Sequence, residues 1–309
     1  MVVRAPWRLL AGLAFVCTGL ALLATSNAPQ IRYHSEPCFE RAIHQSSDPV
    51  HLAVFGSSRM AHGFDALTYA QATEPDAAIL NLSREFRGLG HIYVSLRDLS
   101  EQRRLDHVLI EYDPTAITNR NPIFPDVARW QDLIYETTTA SQQSPLQNWQ
   151  ERAKYPLLRL TAPIRATLTR RPADQGQSTD HATDCVQFRD RTDPLQLRAS
   201  RNDPFIPAQT LPDDGAIPDA RDRIWLDKII ALSQQQGFTL TLLHLPELGQ
   251  NPLPTRWRRA HSKASNLKWL APRGRVLRQI KDEGYANHRH LNPKGQTLLT
   301  TWLAKQLEQ

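Results

Sequence analysis

The chain predicts a three-layer α/β domain built on a mainly parallel sheet, and two observations carry the prediction. Short apolar runs recur at 51–55, 77–82, 107–112 and 239–245, with a weaker fifth at 267–270, each of a length suited to a buried strand. Helical apolar patterns lie between them, and strands alternating with helices give a parallel sheet covered on both faces. Residues 90–104 carry Ile92, Val94, Leu96 and Leu99. Residues 219–236 place Ile224, Trp225, Ile229, Ile230 and Leu232 on one side before Gly237 stops the helix. A final helix starts near Pro293, a residue suited to a first turn, and runs through Leu298, Leu299, Trp302 and Leu303. Ligands of such sheets bind beyond the carboxyl ends of the strands. Ser58, Ser83 and Asp113 follow the first three strand ends, so they are expected to converge on one crevice.

At 309 residues, 40% hydrophobic and 22% charged, the chain has an ordinary globular composition and is long enough for one large core. Arg4 and Arg8 precede an uncharged stretch, 9–25, which as a helix spans roughly 25 Å at about 1.5 Å per residue. Residues 1–28 are therefore expected to enter a membrane, with the basic flank held in the cytoplasm and the body exported. This places the body in the periplasm if the cell is Gram-negative. The alternative is a cleaved signal peptide and a secreted product, for which Ser26-x-Ala28 is the cleavage sequence and Pro29 the objection. Residues 29–49 are expected as a stalk and 50–309 as the α/β domain. Within that domain 115–218 is read as a cap insertion, because the polar segment RRPADQGQSTDHATD has no hydrophobic period.

Export would expose Cys38 and Cys185 to an oxidising compartment, where they are a candidate disulfide; two unrelated thiols is the competing reading. The net charge of +6 favours polyanions, and after export these are anionic glycans or lipid headgroups rather than nucleic acid. No recognised nucleic-acid motif accompanies the basic run at 256–278, which reads as a solvated face or as a docking surface for an acidic glycan or membrane partner. Phosphate-loop and dinucleotide glycine patterns are absent, and the histidines lack the spacing of a metal-ligand set, so neither cofactor nor metal is expected.

Two segments carry the chemistry. Ser58 stands in VFGSSRMAHG directly after the first strand, and His290 stands in YANHRHLNPKG directly before the last helix. A serine early and a histidine late, each beside an element end, is the layout that Ser-His acyl transfer requires. Gly56-Ser57-Ser58, together with Asn287, His290, Leu291, Asn292, Pro293, Lys294 and Gly295, resembles the first and last blocks of the SGNH (GDSL-like) esterase and acyltransferase superfamily. The likeness is to its membrane-anchored envelope members, of the D-alanine transfer (DltD-like) and alginate O-acetylation types, and it spans most of 50–309.

The resemblance implies a flavodoxin-like SGNH fold, Ser58 as nucleophile, His290 as base, and Asn287 where the family has an orienting Asp. The second block is visible as Asn81, Leu82, Ser83 and Gly88, with Phe86 in the place of the oxyanion Gly. The third block is missing; Thr115 is the candidate replacement for its Asn donor. Arg59 follows the nucleophile and is expected to pair with a carboxylate or a substrate anion. Asn287 leaves three outcomes open: Asp113 or Asp282 orients His290 instead, the site works as a slow dyad, or it binds without turning over. The family likeness further implies an envelope glycan or other acyl acceptor and a membrane-bound O-acyltransferase as donor partner. The rival reading is a non-catalytic relative that binds glycan or docks that transferase.

Overall fold

A computed structural model describes residues 15, 18, 39, 42, 43, 48–83, 88–113, 129, 132, 182–184, 220–248 and 267–308. In chain order their elements are β1 (Val50–Phe55), α1 (Ser58–Gly63), α2 (Ala66–Ala72), β2 (Ile79–Asn81), α3 (Leu89–Gln102), β3 (Leu105–Glu111), β4 (Ala182–Asp184), α4 (Ala220–Gln236), β5 (Thr239–Leu243), β6 (Leu267–Leu270), α5 (Gly274–Glu283) and α6 (Pro293–Leu307). The six strands form one sheet in the order β4-β2-β1-β3-β5-β6, and every pairing is parallel. The chain is thus an α/β protein with a parallel sheet and flanking helices, as the alternation predicts.

Both faces of the sheet are buried, which is why its strands read as continuous apolar runs. On one face Leu52, Val54, Ile79, Leu109 and Leu243 join a core with Met60, Phe64, Tyr69, Ile280, Leu291, Leu299 and Leu303, brought by α1, α2, α5, α6 and their loops. Side chains of opposite parity, Ala53, Val108, Ile110, Leu240 and Leu242, are equally inaccessible. Helices α3 and α4 pack on each other, and α4 contacts β5. Each fully buried aliphatic side chain contributes roughly 1.5–3 kcal/mol. The order of strands reverses direction at β1, between β2 and β3, so the carboxyl ends of β1 and β3 border the natural ligand crevice.

The chain divides into two compact units, one of Met1–Glu40 with Ile123–Gly176 and one of Arg41–Pro122 with Gln177–Gln309. The second carries the whole sheet. Residues from Arg41 onward, expected in the stalk, belong to the sheet-bearing unit: Ala42 and Ile43 are buried, and Arg103 donates to the carbonyls of Ala42 (3.0 Å) and Asp48 (2.8 Å). Within the segment expected as a cap, 115–218, the described residues Ala182–Asp184 form β4 at the sheet edge beside β2. A three-residue polar strand is too short to show a period, which is why it reads as loop.

Among the described residues no helix is long and apolar enough to cross a membrane. The expected anchor lies outside the described residues apart from Phe15 and Thr18, which are helical and exposed. Cys38 and Cys185 also lie outside them.

Two histidines sit within this fold. His107 on β3 hydrogen bonds Thr241 Oγ1 on β5 at 2.7 Å, and His244, after β5, is fully buried. Burial holds both well below the usual histidine range, to about 4. The folded state therefore keeps them neutral while the unfolded chain protonates below pH ~6.5, so stability is complete above that pH and falls as pH drops toward about 4. Each histidine is expected to remove about 2 kcal/mol by pH 5. Urea midpoints measured from pH 7.5 to 4.5 should fall, and His107→Gln should flatten the slope.

Candidate functional site

The turn after β1 is built around a carboxylate. Ser57 is the N-cap of α1, its Oγ accepting from Arg59 N at 3.2 Å, which satisfies one of the free amides of the first turn. Its backbone N–H and its hydroxyl both donate to Glu111 Oε2, at 2.9 and 2.8 Å. Gly56 permits this approach: a Cβ there would lie 2.6 Å from Met60 Cβ and 2.8 Å from Glu111 Oε2. Ser58 is then the first residue of α1, half-buried, with a backbone N–H that has no carbonyl partner within the helix.

Arg59 points inward. Its Nε pairs with Glu111 Oε1 at 2.9 Å, and its Nη1 with Asp113 Oδ2 at 3.2 Å and Glu247 Oε1 at 3.6 Å, while Nη2 donates to the Leu245 carbonyl. Burial works against its charge, but Glu111, Asp113 and Glu247 more than offset this and raise its pKa. Of the two roles expected for Arg59, the side chain is thus committed to carboxylates of the chain itself.

The histidine loop is shaped by local bonds. Tyr285 and Leu291 form an antiparallel bridge, and Ala286 N donates to the His290 carbonyl at 2.9 Å, closing a tight turn over 286–290. Asn292 caps α6, its Oδ1 accepting from Gly295 N at 2.9 Å, and its Nδ2 donates to the Glu283 carbonyl at 2.8 Å. At Gly295 a Cβ would stand 2.1 Å from the Gly284 carbonyl oxygen, so only glycine lets α5 and α6 approach there. Leu248 N donates to the His288 carbonyl at 2.9 Å, and Tyr285 Oη donates to the Pro246 carbonyl, docking this loop on the segment after β5.

These two loops meet. Ser58 Oγ and His290 Nε2 are 2.9 Å apart across 232 residues of sequence. On the other side of the ring, Nδ1 is 3.0 Å from Asn287 Nδ2. Burial, followed by the neighbouring His62, Arg59, His288 and Arg289, holds His290 well below the usual range, at about 4. The His62 ring, one turn along α1 from Ser58, packs on His290 with centroids 5.0 Å apart and planes tilted by 58°. His62 is therefore a neighbour of the pair.

The remaining expected residues fall differently. Asp113 and Asp282 do not orient His290: Asp113 binds Arg59 and lies 3.9 Å from His244 Nδ1, and Asp282 is exposed on α5. Ser83 is buried, and its N–H is taken by Asn81 Oδ1 at 3.2 Å, so it does not provide a free backbone donor. Gly88 is the N-cap residue of α3. Phe86 and Thr115 lie outside the described residues. Sequence reasoning missed Glu111 and Glu247, the latter held by Arg289 Nε at 3.2 Å as well as by Arg59. An acid ending the apolar run VLIEY was the signal for Glu111, since a buried carboxylate needs a partner. Among the described residues no group of three or more acidic, histidine or cysteine side chains is arranged to hold a metal ion.

No family model matches the sequence, and no curated protein matches it. Among solved structures, the chain is similar to one described as a candidate platelet activating factor from Streptococcus pneumonia, at 13% identity and a TM-score of 0.37, covering 96% of this chain and 99% of that one.

The Glu111 carboxylate is the support of the serine turn. Glu111→Gln puts an amide N–H against Arg59 or against the Ser57 donors, and is expected to lower stability by about 2 kcal/mol. Gly56→Ala is expected to cost about 1–3 kcal/mol by overpacking. Unchanged urea midpoints at pH 7 would show that the turn does not depend on this contact.

Proposed function

We propose that the chain is a serine-dependent esterase or O-acyltransferase of the SGNH type, working outside the cytoplasm on small acyl groups, foremost acetyl, of a cell-envelope glycan. The observation that carries the reading is the 2.9 Å approach of Ser58 Oγ to His290 Nε2. Ser58 Oγ attacks the acyl carbonyl carbon while its proton passes to Nε2, and the tetrahedral oxyanion receives the Ser58 N–H. The ester bond to the leaving alcohol then breaks as His290 returns the proton to it. The acyl-serine is resolved in the same way, by water in hydrolysis or by a glycan hydroxyl in transfer.

The envelope setting is supported by the resemblance of GSS and HLNPKG to the anchored members of that superfamily and by the apolar segment 9–25 behind Arg4 and Arg8. In this reading that segment anchors the body, and a membrane-bound O-acyltransferase supplies acyl groups. A second reading, a non-catalytic relative that binds glycan or docks the transferase, is favoured by one observation: His290 Nδ1 faces an amide of Asn287 instead of a carboxylate.

A fluorophosphonate probe separates the two. The full chain is expected to label slowly and Ser58→Ala not at all; well-folded protein that never labels would select the second reading. His290 stays neutral down to about pH 4, under the influence of burial and of His62, Arg59, His288 and Arg289. The labelling rate should therefore lack the usual fall between pH 7 and 5, declining only as pH approaches 4.

A further inference from the structure

The backbone fixes which way the Asn287 amide points. Asn287 Oδ1 accepts from the N–H of Arg289 at 2.9 Å and from the N–H of His290 at 2.7 Å. An amide nitrogen in that place would confront two donors with a third, so the oxygen must occupy it. Nδ2 is left facing His290 Nδ1 at 3.0 Å. An amide nitrogen only donates; Nδ1 must therefore present its lone pair. A neutral imidazole has one N–H, and it then belongs to Nε2, directed at Ser58 Oγ. The hydroxyl receives a hydrogen bond from the ring.

We infer that Asn287 is a tautomer-setting residue that stores His290 in its Nε2–H form, so that the resting site is latent: Ser58 faces a donor where a nucleophile needs a base. The catalytic consequence rests on the serine-enzyme reading above, whereas the tautomer stands on the hydrogen bonds alone. Among the described residues no carboxylate contacts the ring to reverse the assignment, since Asp113 is held by Arg59 and Asp282 is exposed. Doubly protonated His290 does not relieve the arrangement either, because Nδ1–H would oppose the Asn287 amide. For Ser58 to lose its proton to Nε2, the ring proton must first move to Nδ1 through solvent. Asn287 must then turn its oxygen to receive it, giving up both backbone bonds.

The same geometry makes Asp at 287 a simple switch. One carboxylate oxygen would keep the Arg289 and His290 amides, and the other would accept from Nδ1–H, leaving Nε2 bare toward Ser58. In a serine protease triad, exchange between Asp and Asn at the corresponding place changes turnover about ten-thousand-fold, because it selects the ring tautomer.

The test uses the full chain with ¹⁵N-labelled histidine at pH 7. Long-range ¹⁵N–¹H correlation reads each ring nitrogen as protonated or bare, and His290 is assigned by the signals missing in His290→Gln. We expect Nε2 protonated and Nδ1 bare. Asn287→Asp should invert the pattern, raise the rate of fluorophosphonate labelling on the order of 100-fold or more, and move its acid limb to higher pH. Asn287→Ala should give averaged signals from both tautomers, a result that loss of stability alone does not produce. A protonated Nδ1 in the unaltered chain, or a pattern unchanged in Asn287→Asp, overturns the inference. Inversion without labelling of Ser58 in either protein supports the tautomer assignment and overturns the serine-enzyme reading.

Discussion

The buried guanidinium of Arg59 is the constraint on which the site depends. It reaches Glu111 at the end of β3, Asp113 two residues on, and the carbonyl of Leu245 and the carboxylate of Glu247 after β5. The ends of β1, β3 and β5 are thereby tied to one another. A buried charge of this kind is tolerated only when paired and hydrogen-bonded, and removal of any partner strands the others away from water. The arrangement contributes less to net stability than a comparable apolar core would, but it is specific about position. Glu111 turns toward Ser57, and Glu247 turns toward Arg289 in the histidine loop.

Around that polar centre the apolar packing sets the distances. Leu291 and Leu299 lie in the same core as Met60 and Phe64, so the segments flanking His290 and Ser58 share one hydrophobic base. The close approach of Gly284 and Gly295 fixes α5 against α6 and hence the span of the loop between them. Ser58 and His290 are brought to hydrogen-bonding distance by rigid elements on both sides, with the loops contributing only the last few residues. On the proposed reading the base is well placed but, by the orientation of Asn287, wrongly protonated for immediate use. Position and protonation are separable properties of a Ser-His pair, and here the first is satisfied without the second.

Much of the fold was legible in the sequence. Five of the six strands coincide with short apolar runs, because a strand covered on both faces needs apolar side chains of both parities. The helices α3, α4 and α6 showed their buried faces, the stop at Gly237, or the proline of a first turn. The short helices α1 and α2 and the strand β4 were not legible, since six, seven and three residues are too few to display a period. Of the candidate site, the meeting of Ser58 and His290 was anticipated from their motifs, and the motif around His290 proves to be largely architectural: Leu291 is core, Asn292 a cap, Gly295 a close approach. Glu111 and Glu247 were passed over because the meaning of a charge depends on its partner, and partners lie far away along the chain.

By itself the sequence determined the alternation of elements, the ends of the longer helices and the chemical types available after each strand. Those properties follow from hydrophobic period and capping, which act over a few residues. Tertiary structure alone decided that Arg59 faces inward to three carboxylates, that Asp113 serves Arg59 and not His290, and that a hydroxyl and an imidazole 232 residues apart come within 2.9 Å. Electrostatic and hydrogen-bond partners are chosen by distance in space, and only the packing of helices onto the sheet sets that distance.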